Sequence, residues 1–155
     1  MIAVVQRVTR ASVQVVEETV GSIGTGLLAL VAVCGDDGPS DVQWMAAKLC
    51  GLRIFRHGDK HFELDVKQAG GAILLVSNFT VAAVTRHGRR PSFDRAAPAV
   101  KGAELFANLV DRVRNLGVPA ETGRFGADMV VHLANDGPVT VIVDSAESRR
   151  GSTPG

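Results

Sequence analysis

Two cysteines in 155 residues, Cys34 and Cys50, are too few for a disulfide framework, and they lack CxxC spacing. Both sit in or near apolar runs and read as buried free thiols in a reducing compartment. No apolar run approaches the roughly 20 residues of a membrane span. The longest, Leu27 to Cys34, is strand length. The opening MIAVVQRVTR lacks the apolar core and cleavage site of a secretion signal. Neither charge is in excess: 17 basic and 16 acidic residues leave a net charge of +1. That balance argues against coating nucleic acid by bulk charge, while leaving room for one local basic patch. There is no repeat of solenoid or propeller period. What is present suffices for a core, since 46% of the residues are hydrophobic in a chain of one-domain length. The expectation is a soluble cytoplasmic protein without membrane contact.

Strands dominate the first third. Ile2 to Val8 and Ala11 to Val16 are rich in valine, with polar Gln6, Arg7 and Gln14 interspersed. GSIGTG, residues 21–26, reads as a turn, and Leu27 to Val33 as a strand buried on both faces. A first helix is expected after Ser40 as cap, with Gln43 completing a capping box and Val42, Met45, Ala46 and Leu49 on one face. Gly51 ends it. Leu52 to Phe55 is a short strand, RHGDKHFELDV a polar turn-rich stretch, and Ala72 to Val81 another strand. A second helix spans about Lys101 to Leu116 on the stripe Leu105, Leu109, Val113 and Leu116. Met129 to Leu133 and Val139 to Val143 are strands flanking the turn ANDGP. The order implies an α+β fold, with a mostly antiparallel, barrel-like sheet covered by two main helices. One domain covers residues 1–143, and the polar residues 144–155 form a disordered tail.

Standard chemical signatures are missing as well. GSIGTG lacks the Lys-Ser/Thr ending of a phosphate loop and the spacing of a dinucleotide fingerprint, so a strand-connecting turn explains it. His57 and His61 are separated by a Gly58–Asp59 turn, which breaks helical metal-ligand spacing, and no third ligand lies nearby. His132, inside an apolar strand, reads as structural. There is no GxSxG elbow and no HExxH, so neither a triad nor a metal is announced, and no cofactor is expected. Arg86, Arg89 and Arg90, with His87, form the most basic stretch. It is either a solvated loop or a phosphate contact that positions RNA without reading bases. Ser77-Asn78-Phe79-Thr80-Val81 ends a strand with polar groups, and Asn135-Asp136-Gly137-Pro138-Val139-Thr140 joins two strands. Each alone is an ordinary strand end or tight turn.

Together these two motifs resemble those of the D-aminoacyl-tRNA deacylases of the D-Tyr-tRNA deacylase type, written Ser-Gln-x-Thr-Leu and Asn-x-Gly-Pro-Val-Thr. Here they read SNFTV and NDGPVT. The segments MIAVVQRVTRASV, LRIF, QAGGAILLVSNFT, RRPSF and TGRFGADM resemble the family too, so the likeness runs from Met1 to about Val143. Two positions depart from the pattern: Asn78 stands for glutamine and Val81 for leucine.

The resemblance implies a homodimer with active sites at the interface, acting on aminoacyl-tRNA. It implies a cis Gly137–Pro138 peptide inserted into the partner's pocket for chirality selection. The pocket floor would be Ser77, Asn78, Phe79 and Thr80, working mainly through backbone. Glycyl-tRNA is an implied second substrate, since glycine has no side chain to exclude. Catalysis would lean on the ribose 2′-hydroxyl rather than on a protein base, which accounts for the missing triad. Two other readings stay open: an ester hydrolase using Thr80 or Ser77 on small molecules, and a non-catalytic RNA binder using Arg86, Arg89 and Arg90.

Overall fold

A computed structural model describes residues 1–150. Its spine is β1 (Ile2–Val15), a single strand where the valine-rich pattern suggested two. One edge of β1 pairs with β2 (Glu18–Ile23) and β3 (Gly26–Ala32), which share one antiparallel register from Val13↔Gly21 through Ile2↔Ala32, shifted by a bulge beyond Val13. Four residues of GSIGTG are therefore strand, and only Gly24 and Thr25 lie between β2 and β3. The other edge pairs with β8 (Val130–Asp144), again one strand where two were expected.

Beyond β3 the sheet turns parallel. β6 (Ala72–Ser77) runs alongside β3, and β7 (Ala120–Thr122) alongside β6. The sheet is mostly antiparallel, as expected, and its two parallel pairings arise because helical crossovers return the chain in the same direction. β7 comes back against β2, nearly closing a barrel. Gly21 makes that approach possible: a Cβ there would stand 2.2 Å from the Thr122 carbonyl oxygen. β4 (Phe55–His57) and β5 (Lys60–Leu64) form a separate two-stranded ribbon, so the polar stretch RHGDKHFELDV holds a hairpin rather than only turns.

Alternation along the strands divides the apolar residues between two cores. Ala3, Val5, Leu27, Ala29, Val31, Ile73 and Leu75 face the helices, while Val8, Val13, Leu28, Leu74 and Val76 fill the inside of the curled sheet. β3 is buried on both faces, as its unbroken apolar run required. Helix α1 (Pro39–Gly51) presents Val42, Met45, Ala46 and Leu49, and α2 (Ala99–Asn115) presents Leu105, Phe106, Leu109, Val110 and Val113. The α1 cap is Gly38, not Ser40. Pro39 occupies the first turn, where its missing N–H costs nothing, and Asp41 accepts the Gly38 N–H at 3.0 Å. Among the described residues no helix is long and apolar enough to cross a membrane.

The expected tail begins too early. Asp144 closes β8, Ser145 is fully buried, and α3 (Ala146–Arg150) follows. Ser145 is held because its hydroxyl accepts from the Met1 ammonium at 2.8 Å and donates to Asp41 at 2.6 Å. The ammonium also pairs with Asp37, and neither side chain nor ammonium is exposed. Residues 151–155 of that expected tail lie outside the described residues.

Candidate active site

The SNFTV segment breaks where β6 ends. Asn78 leaves the strand while its N–H still donates to the Val31 carbonyl at 2.8 Å, and residues Phe79–Ala82 tighten into a 3-10 turn. Sheet hydrogen bonding thus pins the start of the turn to β3. The N–H groups of Phe79 and Thr80 open that turn, where no carbonyl of the turn itself can reach them. No side chain caps them. The Thr80 hydroxyl donates to the Asn78 side-chain oxygen, so the shortened amide holds this threonine within its own turn.

Ser77, Asn78, Phe79 and Thr80 form one wall of a cleft of about 860 Å³. Phe93 stands opposite, edge-on to Phe79 with centroids 5.1 Å apart. The start of α2 and the segment Phe125–Met129 complete the lining. Phe79 is 59% exposed and Phe125 42%, an unfavourable exposure unless something fills the space between them. Asp128 is the one titratable side chain among the described lining residues. That lining holds no histidine, lysine or cysteine, and the Thr80 hydroxyl is hydrogen-bonded to Asn78 rather than to Asp128, so no nucleophile–base pair is formed there.

The NDGPVT segment forms the second feature. Along β1 and β8, Gln6 pairs with Thr140 and Val8 with Asn135, so residues 136–139 stand opposite Arg7 alone. This is a large bulge in the ladder, followed by a second, smaller register shift between Val8 and Arg10. Gly137 has φ +118, and the Gly137–Pro138 peptide is cis. A Cβ on Gly137 would meet the Val139 N at 3.0 Å and Arg7 Nη2 at 3.1 Å, so only glycine fits. Both Gly137 and Pro138 are exposed.

Arg7 and Asn135 support this bulge from beneath. The Arg7 side chain is 3% exposed; its Nη1 donates to the Ile54 carbonyl at 2.6 Å. Its Nε lies 2.9 Å from Asp136 Oδ2, an ion pair outside hydrogen-bond angles. Asn135 Nδ2 donates to the carbonyls of Arg7 and Val139, each at 3.0 Å. Thr140 in turn donates to Asn135 Oδ1 at 3.4 Å.

The structure thus brings Ser77, Asn78, Phe79 and Thr80 together but keeps Gly137 and Pro138 off that cleft within one chain. Arg86, Arg89 and Arg90 lie exposed on an arm closed by Val84 and Ser92, which exchange backbone hydrogen bonds at 2.8 and 2.9 Å. They flank Phe93 without lining the cleft. A second depression of about 590 Å³ over β1 and β8 is lined by Arg10, Ser12, Ser22 and His132, none of them in the two motifs. There His132 Nε2 lies 3.0 Å from Gln14 Oε1. His57 and His61 sit on the β4–β5 ribbon, and no group of three metal-ligating side chains exists among the described residues.

Sequence reasoning missed Arg7 and the cleft residues Phe93, Phe125 and Asp128. A lone cation inside IAVVQRV was the available sign for Arg7, because a buried charge demands a partner. The others lay within RRPSF and TGRFGADM, which showed no periodicity to interpret.

Residues 4–144 match the family model of D-Tyr-tRNA(Tyr) deacylase. The chain belongs to that family. It is 50% identical over 153 residues to a D-aminoacyl-tRNA deacylase of Geobacter sulfurreducens, covering 99% of this chain and 100% of that one. A D-aminoacyl-tRNA deacylase of Thermotoga petrophila is also 50% identical, over 95% of this chain and 99% of its own. Among solved structures, a c-Myc DNA unwinding element binding protein superposes with a TM-score of 0.89 at 36% identity, over 93% of this chain and 98% of that one. A probable eukaryotic D-amino acid tRNA deacylase superposes with a TM-score of 0.79 at 18% identity, over 92% and 97% of the two chains, and shares the fold.

Proposed function

We propose that this chain is a carboxylic ester hydrolase that removes D-amino acids from transfer RNA, and glycine mischarged on tRNA-Ala, as a proofreading step in the cytoplasm. Membership of the family and half-identity to relatives named D-aminoacyl-tRNA deacylase support the activity. The observation that carries the site is the cleft walled by Ser77–Thr80, with two uncapped backbone N–H groups and no nucleophile–base pair. An ester to a ribose is already activated, so N–H groups at Phe79 and Thr80 that stabilise the developing oxyanion supply much of what is needed. The neighbouring ribose 2′-hydroxyl assists the attacking water. No metal or cofactor takes part.

Chirality is selected by exclusion. Gly137 and Pro138 hold the substrate's amino group, and with the ester carbon also fixed an L side chain runs into backbone while a D side chain faces solvent. Glycine, lacking a side chain, escapes the exclusion. Because these two residues lie off the cleft of their own chain, they serve the cleft of a second copy, which makes the working unit a two-fold homodimer. Arg86, Arg89 and Arg90, on the arm that carries Phe93, hold RNA phosphates beside the cleft.

The deciding measurement is deacylation of matched D-aminoacyl-, L-aminoacyl- and glycyl-tRNA, with and without chelator. Turnover of the D and glycyl esters, indifferent to chelator, is expected. Equal turnover of the L ester would refute the exclusion mechanism, and no turnover of any would refute the activity.

A further inference from the structure

The β4–β5 ribbon differs from the rest of the surface. Phe55 anchors it in the core and Leu64 packs against that core, while residues 56–62 are exposed throughout. Phe62 is 61% exposed and has no ring partner among the described residues. Around it the polar side chains are unequally committed. Glu63 is held by Arg53 at 2.9 Å, whereas Arg56, His57 and His61 have no partner among the described residues. The ribbon is also tied to the Gly–Pro bulge. Buried Arg7 grips the carbonyl of Ile54, just before β4, and the carboxylate of Asp136, just before Gly137.

We propose that this ribbon holds the single-stranded 3′ end of the substrate RNA, with Phe62 stacking on an unpaired base and Arg56 and His61 meeting phosphates. The inference rests on the reading that Gly137 and Pro138 meet the aminoacyl group. If so, the nucleotides preceding the terminal ribose leave the site beside the ribbon, whose tip extends about 10 Å beyond its anchor at the usual rise of a strand. A lone aromatic beside an unpaired arginine and two free imidazoles suits a base and its phosphates, since stacking needs one ring and tolerates any base. A protein partner would call for a wider apolar centre with charges kept to its rim.

The test is binding of fluorescently labelled uncharged transfer RNA, intact or trimmed of its unpaired 3′ nucleotides, with circular dichroism confirming that each variant folds. Phe62→Leu should bind intact RNA about 5- to 150-fold more weakly, the range of one lost base–aromatic stack. Phe62→Trp should bind like the wild type. Arg56→Gln should lower the slope of log affinity against log salt by about one. Neither Phe62→Leu nor Arg56→Gln should change binding of trimmed RNA, or hydrolysis of a D-aminoacyl ester of adenosine alone. Wild-type affinity of Phe62→Leu for intact RNA overturns the proposal. So does an equal loss with trimmed RNA or the adenosine ester, or a change in sedimentation that marks Phe62 as a self-association contact. Wild-type turnover of D-aminoacyl-tRNA is scored separately, so a protein that binds RNA through the ribbon without hydrolysing the ester refutes the activity and leaves the ribbon standing.

Discussion

Asn135 reaches back to Arg7 across the bulge, and the same amide nitrogen holds the Val139 carbonyl on the far side, both at 3.0 Å. One side chain thereby fixes both ends of the segment that carries Gly137 and Pro138. Asn135→Ala leaves two carbonyls without this donor, at a cost of about 1–3 kcal/mol. Asn135→Asp should be worse, because it turns an acceptor toward them. Urea unfolding checks the stability. Hydrolysis of D against L substrates checks the site, where the clamp's loss should blur discrimination more than it slows the D ester. Intact discrimination in a destabilised Asn135→Ala protein would separate the clamp from selection.

Thr80 and the ribose make opposite claims on the chemistry. The Thr80 hydroxyl already donates to Asn78, and no basic side chain lines the cleft beside it. Thr80→Ala should therefore keep much of its single-turnover rate. Replacing the terminal 2′-hydroxyl by hydrogen, with the ester kept at the 3′ position, should cost about 100- to 10,000-fold, the usual worth of a general acid–base group. A folded but inactive Thr80→Ala enzyme beside a fast deoxy substrate would make Thr80 the nucleophile, and an aminoacyl-enzyme should then be trappable.

Asp37 balances a positive charge with no access to water. Its carboxylate takes the Met1 ammonium on one oxygen and the Cys34 N–H, at 2.6 Å, on the other. Asp37→Asn leaves the ammonium buried without a balancing carboxylate, and should cost about 3–5 kcal/mol, as when one member of a buried pair is removed. Chemical denaturation measures it. A loss below 1 kcal/mol would mean that water reaches the ammonium once the charge is gone.

Burial pushes the Cys50 thiol up to about 11, with the Asp65 charge adding to the rise and Lys67 opposing it. Burial raises Cys34 as well. A thiol that ionises more readily unfolded than folded makes stability fall as pH rises, from the ordinary thiol range up to about 11 for Cys50. At pH 8 only about one Cys50 in a thousand is thiolate. Iodoacetamide at that pH should label the folded protein far more slowly than a free cysteine, and activity should survive the exposure. Rapid labelling with loss of activity would show that the thiols are accessible.

Periodicity made the helices and the doubly buried β3 legible, because their apolar residues repeat at the spacing the structure uses. It could not show that Ile2 to Val15 is one strand, since exposed Thr9 and Arg10 interrupt the pattern, and the ladder itself shifts register there without ending the strand. β2 was hidden because its polar, glycine-containing sequence owes its pairing to continuity with β3 rather than to its own propensity. The end of the domain was misplaced for a related reason. Ser145 looks like a tail residue until Met1 and Asp41 supply its partners, and Asp144 does so until Ile2 pairs with it. In the site, SNFT and GP were visible as motifs, whereas the cleft walls around Phe93 and Phe125 exist only once α2 and the arm have folded over β6.

The bulge opposite Arg7 has a consequence for how such a site can vary. Pairing is regular below it, Ile2↔Asp144 to Gln6↔Thr140, and regular again beyond Thr9, Arg10↔Ala134 to Gln14↔Val130. Residues 136–139 are thus an insert whose length is not dictated by the ladder. A cassette of this kind can be lengthened, shortened or rewritten while the spine keeps its register, so selectivity and foldability are free to drift separately. The fixed points of the exchange are Arg7, Asn135 and Thr140, the hinges on which any replacement segment would have to hang.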